Sequence, residues 1–152
     1  MKKKITIKNF FLLLIITSLL VWLFLLIKRN NTSLINLPDH SVIKYQIAGK
    51  TIKVEVVNKA DSISRGLGGR ENLNVDGMLF VFPSPVTTSF WMKDMLFPID
   101  LYWIANEQIV GVEKNMLPPN DLNSQETMKV YYSPGMVDMV LEIPTNKDIL
   151  LP

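Results

Sequence analysis

Six side chains carry most of the chemistry this chain can offer a ligand: Arg70, Trp91, Lys93, Asp94, Asp100 and Glu113. In Phe90-Trp91-Met92-Lys93 an aromatic ring stands two residues from an ammonium, a pairing that binds sugars, peptides or acidic groups. Strand alternation puts Trp91 and Lys93 on one face and Phe90 and Met92 on the other. The plainer reading of the same residues is one core face and one ordinary exposed face. Asp100 is an acid embedded in the apolar run Ile99 to Ile104. If Ala105 to Gln108 closes a hairpin, Ile104 faces Ile109, Tyr102 faces Gly111 and Asp100 faces Glu113. Two carboxylates side by side require a nearby cation, Arg70 or Lys93, or a raised pKa on one of them.

Other chemistries are poorly supplied. The single histidine, His40, lies at a linker edge and reads as solvated, so a Ser-His-Asp arrangement is unavailable. There is no cysteine, which removes a lipoprotein anchor, disulfides, thiol catalysis and thiolate metal sites. Gly66, Gly68 and Gly69 resemble a phosphate loop only superficially, because they follow a helix instead of opening one and Glu71 stands where the dinucleotide pattern needs glycine. They read as a helix terminator. Arg65 and Arg70 flank that turn, placed near helix carbonyls or near an anion elsewhere in the fold. Met92-x-x-Met95 and Met136-x-x-Met139 could hold a cuprous ion, but on strands a three-residue spacing sends the sulfurs to opposite faces. No cofactor motif and no metal ligand set is read.

These residues must be positioned mostly by strands. Ser41 to Ile47 and Thr51 to Val57 alternate around Ala48-Gly49-Lys50, a hairpin. Lys59 to Leu67 reads as a short helix with Asn58 as its N-cap. Met78 to Phe82 is apolar on both alternate sets, as a strand buried on both faces requires, and makes Phe80 and Phe82 core; Pro83 and Pro85 are expected to stop it. Thr87 to Met92, Ile99 to Ile104, Ile109 to Met116, Met128 to Tyr132 and Met136 to Ile143 complete the set. The long polar connection from Asn115 to Glu126 is of the kind that borders a site. The fold class is α+β, mostly β: a compact barrel-like or strongly twisted antiparallel sheet with one or two short helices, behind a single N-terminal transmembrane helix.

That last element accounts for the 48% hydrophobic content. Phe10 to Ile27 is an uncharged apolar run, long enough at about 1.5 Å per residue to cross a bilayer. Lys2, Lys3, Lys4 and Lys8 precede it, and only Lys28 and Arg29 follow, so the N-terminus is expected in the cytoplasm and the remainder outside. The run exceeds a usual signal-peptide core and no small-x-small cleavage site follows, which favours an uncleaved anchor. The expected organisation is a basic tip and anchor over residues 1–29, a linker over 30–40, and one extracytoplasmic domain over 41–152. From Ser41 onward ten basic residues meet 13 acidic ones, so the basic overall balance belongs to the anchor and nucleic-acid binding is disfavoured.

Gly66-Leu67, Arg70, Gly77-Met78-Leu79-Phe80, Phe82, Phe90-Trp91-Met92-Lys93, Pro98 and Asp100 together resemble the pattern of the domain of unknown function 192 family. The resemblance spans roughly residues 45 to 150, with Gly68 where the family tends to methionine, Asp94 where it tends to asparagine, and Arg65 displaced toward the Gly-Leu pair. It implies a compact β-rich fold with one or two small helices and an anchored location, and no established activity.

Two functions fit. The first is a non-catalytic binding or interaction module for envelope polymer, peptide or protein, using Arg70, Trp91, Lys93, Asp94, Asp100 and Glu113. The alternative is a small hydrolase built on Asp100, Glu113 and Asp94, since two carboxylates suffice for glycoside hydrolysis. Catalysis needs a cleft with a carboxylate of raised pKa, whereas binding needs only an exposed platform. A domain of about 110 residues is not expected to form a deep cleft, which favours binding.

Overall fold

The protein is described from a computed structural model covering residues 14–22, 34–119, 129–147, 149 and 151. The chain divides into two compact units, Met1–Asn36 and Leu37–Pro152. In the first, residues 14–22 form an α-helix (α1) whose side chains are exposed throughout. Among the described residues no helix is long and apolar enough to cross a membrane. The ends of the Phe10 to Ile27 run lie outside the described residues, so α1 covers only part of the expected anchor.

The second unit is built on a six-stranded sheet. In chain order its elements are β1 (Ser41–Ile47), β2 (Lys50–Val57), α2 (Ala60–Arg65), β3 (Gly77–Val86), β4 (Ser89–Trp91), β5 (Ile99–Ala105), β6 (Gln108–Met116), β7 (Val130–Tyr132), β8 (Val137–Pro144) and a 3₁₀ turn at Thr145–Lys147. The strands lie in the order β1-β2-β3-β8-β5-β6, while β4 and β7 pair separately as a small ribbon. The sheet is open and mixed, not a barrel and not wholly antiparallel, because β2 and β3 run parallel. Parallel neighbours need a crossover, and residues 58–76, carrying α2, supply it.

Local chemistry explains the boundaries. Ala48 and Gly49 at φ 48° and 76° turn β1 into β2 with Ile47 opposite Lys50, and Asn106 and Glu107 at φ 50° and 65° do the same between β5 and β6. Lys59, not Asn58, occupies the N-cap of α2 and makes no side-chain cap. Asn58 is drawn inward instead, its backbone N–H donating to Asp39 Oδ1 and its side-chain Nδ2 to the Leu37 carbonyl. Pro83 and Pro85 do not end β3. The strand continues to Val86, and the prolines fall where its register with β8 shifts between Val81 and Val86, a position that needs no ladder N–H.

The central strands β3, β8 and β5 are buried on both faces, with Leu79, Val81, Leu141 and Tyr102 on one and Met78, Phe80, Val140 and Trp103 on the other. On the second face the core also takes in Leu67 beyond α2, Leu73, Met92, Met95 and Met116. Phe80 is fully buried as expected, and Phe82 is partly buried against the same core.

Candidate functional site

A pocket of about 610 Å³ opens on that second face, within the roughly 300–1,000 Å³ typical of small-molecule sites. So small a domain does form a pocket, one open to solvent at its rim. Its first wall is the end of α2 with the glycine turn after it, from Ile63 to Gly69; its second is the stretch from Thr88 to Met95. Glycine is what lets the two walls meet. Gly66, at φ 53°, closes α2 with its N–H on the Ser62 carbonyl at 2.9 Å, and a Cβ there would stand 3.4 Å from the Phe80 ring. Gly69 donates its N–H to the Asp94 carbonyl at 2.8 Å, and a Cβ on Gly68 would crowd the carbonyls of Arg65 and Lys93 at 3.1 and 3.4 Å. The glycines therefore do more than terminate a helix: they hold the Lys93-Asp94 turn against it.

The floor is aromatic, with one polar group. Phe80 meets Phe90 edge-on at 5.0 Å between centroids, and Phe90 meets Trp103 at 5.6 Å. Glu142 of β8 lines the same pocket, in register with Met78 on one side and Leu101 on the other. The residue is only 5% exposed, and its Oε2 has no hydrogen-bond partner among the described residues. Burial pushes its carboxyl up to about 8, and among the described residues no cation or donor offsets the loss of water. In its protonated form, which burial favours, it can donate one O–H and accept at the other oxygen.

The rim brings together three of the six residues singled out in the sequence. Trp91 is 54% exposed, and Lys93 Nζ stands 6.0 Å from its ring centroid. Asp94, held at φ 58° in the turn, lines the same opening, as do Arg65, Ser64 and Ser89. The other three lie elsewhere. Arg70 grips Glu55 on β2 with both guanidinium nitrogens at 2.7 and 2.8 Å, which holds the Glu55 carboxyl below its ordinary range. Asp100 accepts from Lys114 Nζ at 3.1 Å and from the Asn115 N–H at 2.8 Å. Glu113 is opposite Leu101, not Asp100, so the expected carboxylate pair does not form.

The cause is a register shift between Trp103 and Ile104: Ile104 faces Ile109 as expected, but Trp103 takes Gly111 and Tyr102 takes Val112. His40 also departs from expectation. It is half exposed, yet its Nδ1 is 2.7 Å from Glu55 Oε1 and its Nε2 is 3.4 Å from Asp39. Among the described residues no group of three or more His, Cys, Asp or Glu side chains could hold a metal ion. Met92 and Met95 are both buried in the core, whereas Met136 is exposed and Met139 buried.

Residues 43–147 match the family described as DUF192, Uncharacterized ACR. The chain belongs to the DUF192 family. No curated protein matches it. Among solved structures, this DUF192 chain is similar to a chain from Sinorhizobium meliloti 1021 described as a proposed transcription regulator, with 24% identity, a TM-score of 0.57, and coverage of 74% of this chain and 87% of that one. A protein of unknown function from Novosphingobium aromaticivorans DSM 12444 is similar at 20% identity with a TM-score of 0.52, over 68% of this chain and 81% of that one. At these identities the likeness shows the fold alone.

The residue that sequence reasoning missed is Glu142. Its signal is the one that drew attention to Asp100, an acid set inside an apolar run, Val137 to Pro144. The local pattern does not say which of the two faces a pocket.

Proposed function

We propose that this DUF192 domain is a membrane-anchored, extracytoplasmic, non-catalytic binding module for an envelope polymer, peptide or protein, and that the pocket beside Trp91 is where the ligand seats. One observation carries the reading: the pocket holds a carboxyl oxygen with no partner among the described residues, on a residue 95% buried, a cost that an incoming hydrogen-bonding group relieves. Around it the lining mixes apolar and aromatic side chains, among them Leu67, Phe80 and Phe90, with polar ones such as Ser64, Thr88 and Ser89, which lets a site cover part of a ligand and orient it by polar contacts. Trp91 and Lys93 serve as the entry platform. The anchor is supported by the Phe10 to Ile27 run and by its lysine asymmetry.

The test is co-sedimentation of the full chain with insoluble envelope polymer. Trp91→Ala is expected to reduce retention about tenfold, equivalent to roughly 1.4 kcal/mol. Retention indifferent to that substitution removes the pocket from the reading. Protease added to intact cells tests the topology, and resistance of the domain until lysis would reverse it.

A second reading is favoured by one specific observation, the raised pKa of Glu142, because a neutral acid in an apolar site is what a general acid requires. Asp94 on the rim would be the second carboxylate of a glycoside hydrolase; Asp100 and Glu113 have no part in it. Release of reducing ends from envelope glycan, abolished by Glu142→Gln, would establish this reading in place of the first.

A further inference from the structure

We propose that the group seated on Glu142 is the acetamido substituent of an N-acetylated amino sugar, with the sugar ring at the Trp91 rim. The inference rests on the pocket being a binding site and names its occupant. Three separate features converge on it.

The first is at the floor. A buried neutral acid donates one hydrogen bond and accepts another, and the same pocket is lined by Phe80, Phe90 and Leu67. A ligand head must therefore bring a strong acceptor together with an apolar group to lie on those side chains. An acetamido group does both, with its carbonyl oxygen for the Glu142 O–H and its methyl for the rings. A sugar hydroxyl brings no apolar part, and a charged head would leave an ion in an apolar site with, at best, one partner.

The second is at the rim. Ser89 pairs with Tyr132 and Trp91 with Val130, so Trp91, which lines the pocket, and Tyr132, which stands outside it, lie on one face of the β4–β7 ribbon, diagonal to each other, 54% and 69% exposed. On the opposite face Phe90 and Tyr131 pack against the core, which fixes the ribbon's orientation. The polarised C–H groups on a pyranose face are attracted to the negative face of such rings, and two of them on one ribbon suit successive units of a polymer. The third feature is charge. Arg65 and Lys93 flank the mouth against the single carboxylate of Asp94, which suits a glycan carrying carboxylate or phosphate groups outside the pocket.

The experiment is calorimetric titration of the full chain at about pH 6 with tetra-N-acetylchitotetraose and with cellotetraose, which differ at each ring only in acetamido against hydroxyl. Both are β-linked, so backbone shape is held constant. The acetylated oligomer is expected to bind at least about tenfold more tightly, roughly 1.4 kcal/mol. Its affinity in the wild type is expected to fall as pH rises through about 8, where Glu142 loses the proton it donates. Glu142→Gln keeps a neutral donor and acceptor, so binding should stay within a few-fold and lose that pH dependence. Glu142→Leu should lose at least tenfold, and if that variant does not fold, the pH profile of the Gln variant decides.

Equal binding of the two oligomers overturns the inference, as does an acetylated-oligomer affinity that falls identically above pH 8 in the wild type and in Glu142→Gln. If neither oligomer binds while retention on envelope polymer still depends on Trp91, the acetamido assignment fails and the pocket reading stands. If that dependence is absent too, both fail together.

Discussion

Asp100 and Glu142 are both acids set in apolar strands, and those strands are neighbours. Asp100 of β5 is in register with Ile143 and Leu101 with Glu142, so the two acids sit one position apart and project to opposite faces of the sheet. On its face Asp100 finds an amide N–H and the Lys114 ammonium, which also donates to the Tyr102 hydroxyl. On its own face Glu142 finds Met78, Leu101 and a pocket. A step of one residue thus separates a carboxylate that staples two strands from one that lines a pocket with an oxygen unpartnered among the described residues.

The largest expected effect sharpens that contrast through pH. The Glu142 carboxyl is raised from 4.5 to about 8 on folding, so the folded chain holds this proton more tightly than the unfolded chain does. Stability must then fall as pH rises between those values, by up to about 1.4 kcal/mol per pH unit, and level off above the folded-state value. Glu142→Gln removes the dependence. At pH 9 the variant should be a few kcal/mol more stable than wild type by urea denaturation, and near pH 4 the two should converge. A variant less stable than wild type at pH 9 would mean that Glu142 has a partner after all.

Arg70 should behave with the opposite sign. Glu55 is held below its ordinary range first by the Arg70 hydrogen bonds, against the opposing effect of burial, with a further contribution from His40. That stabilisation is present above the unfolded carboxylate range and is lost as pH falls through the folded value. Arg70→Met should cost about 1–2 kcal/mol at neutral pH, discounted because the guanidinium is one-third exposed, and less in acid. Asp100→Asn should cost less, about 1 kcal/mol or under, since the amide oxygen can still accept from Asn115. Chemical denaturation of both variants gives the ranking, and a larger cost for Asp100→Asn would return the central role to that residue.

Much of the fold is legible in local pattern. Alternation locates β1 and β2, apolar runs bounded by turn residues locate β5, β6 and β8, and the doubly apolar run marks β3 as central. What local pattern does not contain is the partner of each strand. The run β2, α2, β3 is a strand-helix-strand unit, and its parallel pairing follows from the helix in the connection, a step that the expectation of an antiparallel sheet passes over. The separate pairing of β4 with β7 places Trp91 on a ribbon outside the main sheet, and no feature of Thr87 to Met92 announces it. For the site, Trp91, Lys93 and Asp94 stand together because they are close in sequence. Glu142 joins them only through the order β3-β8-β5, which is a property of the whole chain.

The smallest expected effect tests the register itself. A hairpin with an unbroken constant-sum register would set Asp100 against Glu113, and the two like charges would repel across a distance of about 5 Å. Relieving either acid would then help, and relieving both would help less than the sum. In the observed register Glu113 is opposite Leu101, so it lies on the other face from Asp100, and Asp100 has Lys114 and Asn115 as partners. Glu113→Gln should therefore change stability by less than about 0.5 kcal/mol, as a partly exposed substitution away from any network does. Combined with Asp100→Asn, its effect should add within about 0.3–0.5 kcal/mol. The two singles and the double, measured by denaturant unfolding at neutral pH and low salt, complete the cycle. A coupling of about 1 kcal/mol, with Glu113→Gln stabilising, would place the carboxylates side by side, restore the acid pair on β5 and β6, and reopen the choice between that pair and the Glu142 pocket as the seat of function.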